Sequence, residues 1–213
     1  MATRDSAATR TRLLEAARGA IRTKGYAATT VDDICVAAGV SKGSFFHHFA
    51  SKDALGIAAV DAFSEMADGL FAQAPFTRLD DPRDRLFGYV DFRASLLEGE
   101  LAEYTCLLGT TVQEVHSTHP ALRDACERAI ASHVRNLSAD IAAAKKRHAP
   151  GAKWSAESVG YFMQSVLQGA FILAKARQSP EVARECLQHL RRYLATLFGE
   201  PRTTPPRSKE TKR

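Results

Sequence analysis

The side chains best suited to chemistry in this 213-residue chain crowd into one run, TTVDDICVAAGVSKGSFFHHFASKDAL, over residues 29–55. Ser41, Lys42, Gly43 and Ser44 place two hydroxyls, an ammonium and a bare backbone side by side, with Phe46 and His47 following. Hydroxyl and ammonium donors suit phosphate oxygens and base edges, and small residues allow close approach. His47 and His48 invite comparison with a metal site. Adjacent helical residues point about 100° apart, however, whereas chelation favours i,i+4 spacing. No metal site is expected, and no motif calls for a cofactor.

Four cysteines (Cys35, Cys106, Cys126 and Cys186) lie far apart without a C-x-x-C pair. That argues against zinc and against a disulfide framework, and it suits a reducing cytoplasm. Cys106 differs from the others in its surroundings. It shares a small, polar side of a predicted helix with Gly109, Thr110 and Gln113, while Gln164, Gln168 and Lys175 form a second polar stripe further on. Such stripes face solvent or line a cavity. No G-x-S-x-G, phosphate-binding loop, H-E-x-x-H or paired-cysteine motif occurs, so no enzyme is expected.

The elements that must hold these residues are helices. Helical periodicity recurs along the chain and strand-like alternation does not persist. The first helix is expected from about Thr9 to Lys24, with Leu13, Leu14, Ala17, Ala20 and Ile21 on one face and Gly25 after it. Thr30, Ser41 and Ser51 are placed to cap three more, with Asp33 closing a capping box on Thr30. Val31, Ile34, Ala37, Val40, Phe45 and Phe49 would hold the second and third helices against the first. Asp81-Pro82 opens a fifth, residues 101–115 form a sixth, and His119-Pro120 opens a seventh that ends near Lys146. An eighth helix spans Ser155 to about Arg177 and a ninth runs from Ser179-Pro180 to Phe198. The expected class is all-α with nine helices.

Charge is unevenly spread. Residues 1–52 carry eight Lys and Arg against four Asp and Glu, whereas residues 53–200 carry sixteen against nineteen. A basic amino-terminal segment on a slightly acidic body suggests that one end meets a polyanion. No apolar run approaches the roughly 20 residues that span a bilayer, so no membrane partner is expected. The last residues, PRTTPPRSKETKR, are Pro-rich and charged and are expected to be disordered.

A helix, a tight turn through Ala38-Gly39-Val40-Ser41 and a second helix make a helix-turn-helix. The order T-V-x-x-I-x-x-x-A-G-V-S-x-G-x-x-x-x-H-F-x-S-K-x-x-L resembles the DNA-binding signature of the TetR family. The likeness covers residues 9–56 closely and the helical layout extends it to residue 198. It implies a two-domain architecture: a DNA-binding domain over 1–52, a ligand-binding and dimerisation domain over 53–199, and a basic tail over 200–213. It implies double-stranded operator DNA as a partner, with Thr30 and Lys52 on phosphates and Ser41, Lys42, Gly43, Ser44 and His47 on bases or backbone. Phe46 stands where the family usually has Tyr, so an apolar contact replaces a phenolic hydrogen bond.

The same likeness implies a homodimeric, cytoplasmic repressor whose last two helices form a four-helix bundle with their counterparts. Both helices are apolar on two sides, and Leu190 and Leu194 are counted among the bundle residues. The effector is expected to be a small molecule or an electrophile, in a pocket with Tyr104, Thr110, Gln113 and Phe171. Phe63, Phe92, His116, Phe162 and Met163 are further candidates. YTCLLGTTVQEV and LQGAFILAKARQ resemble stretches of electrophile-sensing members, the N-ethylmaleimide reductase repressor type. There a cysteine and a lysine match Cys106 and Lys175. An ammonium beside a thiol favours the reactive thiolate.

Overall fold

In the computed structural model, residues 2–201 are described, with side chains from Ser6 onward. All regular structure among them is helical. Helix α1 spans Ala2–Lys24, beginning earlier than the expected Thr9. It stops at Gly25, whose φ of +90° suits glycine and whose missing Cβ leaves room for the Glu114 carboxylate. Helix α2 (Val31–Ala38) starts on a capping box between Thr30 and Asp33 and ends on Gly39 in the left-handed conformation. Helix α3 (Lys42–His48) is capped by Ser41 and α4 (Lys52–Ala72) by Ser51. A 3-10 turn over Pro75–Arg78 leads to α5 (Pro82–Ser95), capped by Asp81.

The single helix expected over 101–115 is two: α6 (Leu101–Tyr104) and α7 (Leu107–Val115). Thr105 and Cys106 between them are extended. Thr105 is β-branched, and its hydroxyl donates back to the Leu101 carbonyl at 2.7 Å, which competes with helix continuation. Ten α-helices therefore replace nine, completed by α8 (Pro120–His148), α9 (Ala156–Arg177) and α10 (Glu181–Phe198). The tail expected to be disordered lies outside the described residues from 202 onward. No helix of the described part is long and apolar enough to cross a membrane.

Burial falls into two clusters. One joins α5, the later half of α8, α9 and α10 through residues such as Leu86, Ile141, Met163, Leu167, Leu190 and Leu194. The other joins Leu13, Ile34, Phe45 and Leu55 of the first four helices to Leu107 of α7 and Leu122 and Cys126 of α8. The expected domain boundary after residue 52 is thus bridged by a common core. Gly56 lets α4 approach the Tyr26 ring and Leu122 closely, since a Cβ there would meet them at 3.1 and 3.4 Å.

Two packing expectations need correcting. Ala37 is exposed, one step round α2 from the buried Ile34, Cys35 and Ala38. Leu190 and Leu194 are 2% and 0% exposed inside the protomer, so they cannot form an outer face. The unpartnered apolar face consists instead of Tyr161, Phe162, Ile172 and Leu173 on α9, flanked by half-buried Cys186 and Tyr193 on α10. The Phe162 and Tyr193 rings lie 4.6 Å apart on it.

Candidate functional site

Helix α3 presents Ser41, Lys42, Gly43, Phe46 and His47 on its exposed side, while Phe45 and Phe49 anchor its opposite side in the core. Phe46 is 52% exposed, and neighbouring Val36 of α2 is 83% exposed. Both are apolar groups left open to a partner surface. The Ser41 hydroxyl accepts the Ser44 amide at 3.1 Å, which fixes the helix start. Lys42 pairs with Asp32 at 2.8 Å across the turn. The Thr30 hydroxyl accepts the Asp33 amide and donates to its carboxylate, so it is committed to the cap. Lys24, pairing with Asp33 at 2.6 Å, and then Thr30 hold that carboxyl well below its ordinary range.

Lys52 does not reach freely into solvent. Its ammonium donates to the Tyr26 and Thr29 carbonyls at 3.1 and 3.0 Å and lies 4.3 Å from the centre of the Tyr26 ring. One of its three N–H donors remains for a phosphate. The Tyr26 hydroxyl in turn bonds the Asp53 carboxylate, which ties the α1–α2 turn to the start of α4.

Below the head lie two cavities, of about 170 and 220 Å³. The larger runs between α7 and α9 and brings the two polar stripes together: Cys106, Gly109, Thr110 and Gln113 on one wall, Gln168 and Lys175 on the other. The Lys175 ammonium donates to the Thr110 hydroxyl at 2.6 Å, and burial, then the Arg22 charge, lowers its pKa. Gly109 lets the Gln168 amide close over α7, and a Cβ there would push that side chain aside. Phe171 and Cys106 border both cavities. Cys106 caps the start of α7 in extended conformation rather than sitting within a helix.

The smaller cavity is mainly apolar, walled by Phe63, Leu70, Phe71, Leu108 and Phe171, with Tyr104 at one side. Arg22, Arg93 and His133 also face it. Arg93 donates to the Tyr89 hydroxyl at 3.0 Å and lies 3.3 Å from His133 Nε2 and 4.3 Å from the Phe71 ring centre. Burial, and then the Arg93 charge, push His133 down to about 3, so its imidazole is neutral with Nε2 as acceptor. Among the other candidates, Phe92 packs against Phe71 and Phe76 outside the lining, His116 is exposed, Phe162 lies on the outer face and Met163 is wholly buried.

Beyond the shared core, a hydrogen bond ties α7 to the head. Glu114 of α7 accepts the Ala27 amide at 2.7 Å, with its carboxylate seated against Gly25. Glu114, Arg22, Arg93 and His133 were missed by sequence reasoning. Their signals are weak: each is a charged or polar residue that looks like an ordinary solvated position until distant helices close on it. Cys126 is pushed up to about 12 by burial and Cys35 is raised by the same cause. Cys186 is half-buried. Among the described residues, no cluster of His, Cys, Asp or Glu could hold a metal ion.

Residues 13–59 match the family model of bacterial regulatory proteins, tetR family, and residues 82–190 match the tetracyclin repressor-like C-terminal domain. The chain is 28% identical over 198 residues to the transcriptional regulator AcuR of Cereibacter sphaeroides, covering 83% of this chain and 81% of that protein. It is 36% identical over 114 residues to the transcriptional repressor KstR2 of Rhodococcus jostii, covering 53% and 46% respectively. Among solved structures, a TetR transcriptional regulator from Chloroflexus aurantiacus superposes with a TM-score of 0.81 at 24% identity, over 92% of this chain and 98% of that one. The reduced form of E. coli NemR gives 0.74 at 21% identity, over 89% and 97%. These last two likenesses concern the fold.

Proposed function

The chain belongs to the TetR family of bacterial regulatory proteins, DNA-binding regulators of transcription rather than enzymes, and from that premise we propose that it is a homodimeric, cytoplasmic repressor released from a pseudo-palindromic operator by a small molecule. The observation that carries this reading is the position of α7. Its residues border both cavities, and its Glu114 bonds the turn that ends α1. A molecule that displaced α7 would strain that bond and tilt the head.

The exposed apolar face of α9 and α10 supports two-fold pairing. Such a dimer sets two copies of α3 about one DNA turn, ~34–36 Å, apart. In this reading Ser41, Lys42, Gly43, Ser44, Phe46 and His47 meet bases and backbone, Lys52 meets phosphate with its remaining N–H, and Thr30 meets phosphate by exchanging its bond to the Asp33 carboxylate. Operator fragments selected from genomic DNA should show a symmetric footprint, lost on adding a cavity occupant. A single half-site footprint from a monomer overturns the proposal.

A second reading is favoured by Cys106, a thiol that borders both cavities. Alkylation or oxidation there would insert bulk at the start of α7 and release DNA. Limited maleimide treatment should then label Cys106 faster than Cys126, and Cys106→Ser should stay on DNA under oxidant. Equal labelling, or equal loss of binding, removes the thiol switch.

A further inference from the structure

Two residues that line the smaller cavity each carry a buried polar atom without a partner, Arg22 its Nε and Tyr104 its hydroxyl. Native proteins keep few such groups, because an orphaned buried donor has given up its water without a replacement. Neither Arg22 nor Arg93 has a carboxylate within ion-pair distance among the described residues. Two acids share the lining. Glu103 is exposed and accepts the Glu100 amide, and Asp68 is half-buried without pairing to either arginine. His133 adds no charge, and it holds Arg93 in place together with Tyr89.

We propose that the smaller cavity takes a small organic anion with an apolar body, its charged group bound by Arg22 and the Tyr104 hydroxyl. A guanidinium offers a planar fork that matches a carboxylate, and Arg93 adds a second positive charge to the same chamber. The apolar wall receives the rest of the molecule. A cavity of about 170 Å³ is near the ~150 Å³ that accommodates benzene, so the ligand is of that order of size. Burial, and then the Arg18 charge, lower the Arg22 pKa to about 10, only partly offset by Cys106 and Glu103, and a bound anion would relieve that penalty.

Arg22 also gives the ligand a direct grip on the head. It lies in the last turn of α1, immediately before the Gly25 turn that Glu114 bonds. An anion drawn to Arg22 therefore acts on the first helix of the DNA-binding unit without working through α7. This inference rests on the cavity being the effector site, and its test must separate the two.

The test titrates the full-length dimer with benzoate and hexanoate, and with benzamide and hexanamide as neutral counterparts, by calorimetry and by operator release. Each acid should bind at least about tenfold more tightly than its amide, the worth of one charge-assisted hydrogen bond. In Arg22→Gln that preference should collapse to about twofold or less, with amide affinity unchanged, and Arg22→Lys should restore part of it. Tyr104→Phe should lower acid affinity less, and melting curves identify any variant that has lost its fold. Equal binding of acid and amide by the wild type overturns the proposal, as does an undiminished preference in Arg22→Gln or no binding of either. Amides that bind and release DNA would leave the effector reading standing without the anion. Acids that bind through Arg22 while DNA stays bound would leave the anion site standing without the effector reading.

Discussion

The polar groups on the exposed side of the head are satisfied by one another, whereas two of those lining the smaller cavity are not. Thr30 is matched by Asp33, Ser41 by the Ser44 amide, Lys42 by Asp32, and Lys52 by two carbonyls. The partners of Thr30 and Ser41 lie within one turn of helix and that of Lys42 across one short loop, whereas Lys52 reaches back past α2 and α3 to the turn that follows α1. In the cavity, Arg22 Nε and the Tyr104 hydroxyl are left without partners, on helices separated by eighty residues of chain. The difference matters for how each region meets its partner. The head is preorganised and exposed, so DNA needs only to exchange water for phosphate and base. The cavity holds its cost in reserve, and a ligand with the right charge recovers it.

The strongest way to break this contrast is to charge a surface that is neither preorganised nor polar, the outer face of α9. Phe162→Glu with Leu173→Glu should give monomers by light scattering and reduce operator affinity by about a hundredfold or more, since two heads bind as one. Both side chains are nearly half exposed in the protomer, so the fold should survive. A dimer that persists in this variant places the interface elsewhere.

Acid sharpens the contrast next. The folded cavity keeps His133 neutral, at about 3, against an ordinary value near 6.5. The unfolded chain therefore binds a proton that the folded chain refuses. Stability from this source is complete above about pH 6.5 and is lost as pH falls toward 3. In the head, Asp33 is held below its ordinary range, so its contribution persists down to about pH 4 and fades only below that. Trp154, the single tryptophan, packs against Phe198 in the body and reports the melt by fluorescence. Its midpoint should fall between pH 7 and 5, and His133→Gln should flatten that slope. An unaltered slope assigns the acid sensitivity to another group.

The smallest effects separate two lysines of the head. Lys52→Ala leaves the Tyr26 and Thr29 carbonyls without their donor and should cost about 1–3 kcal/mol of stability. It should also weaken binding to DNA of any sequence. Lys42→Ala breaks only an exposed ion pair, worth about 0–1 kcal/mol, and should alter base preference instead. Denaturant melts together with binding to two unlike sequences distinguish these outcomes. A Lys52 variant with unchanged stability would remove its structural role.

The head was legible in the sequence because its determinants are local. A capping residue acts three positions away, and Gly39 acts on its own φ, so Thr30, Ser41, Ser51 and Gly39 could be placed from neighbours alone. The two polar stripes were also visible as periodicity, although their meeting across one cavity was not. The break at Thr105 and Cys106 escaped notice because the apolar spacing of residues 101–115 runs through it unaltered. Leu190 and Leu194 were assigned to the wrong side of α10 because both of its faces carry apolar residues and only the packed neighbours tell them apart. Arg22 looked like one more basic residue of a DNA-binding segment until α4 and α6 to α9 enclosed it.

The core that runs from Leu13 to Cys126 bears on synthesis and on engineering. When the first sixty residues leave the ribosome, Leu55 and Ile34 are present, but Leu107, Leu122 and Cys126, which complete their packing, are still unmade. The head must wait for roughly as much chain again before its hydrophobic interior closes. A chimera that grafts residues 2–59 from a relative would inherit a severed interior, with mismatched volumes facing Leu107 and Leu122. Exchanging DNA specificity is safer through α3 alone, where the solvent-facing side chains have no counterpart in that interior.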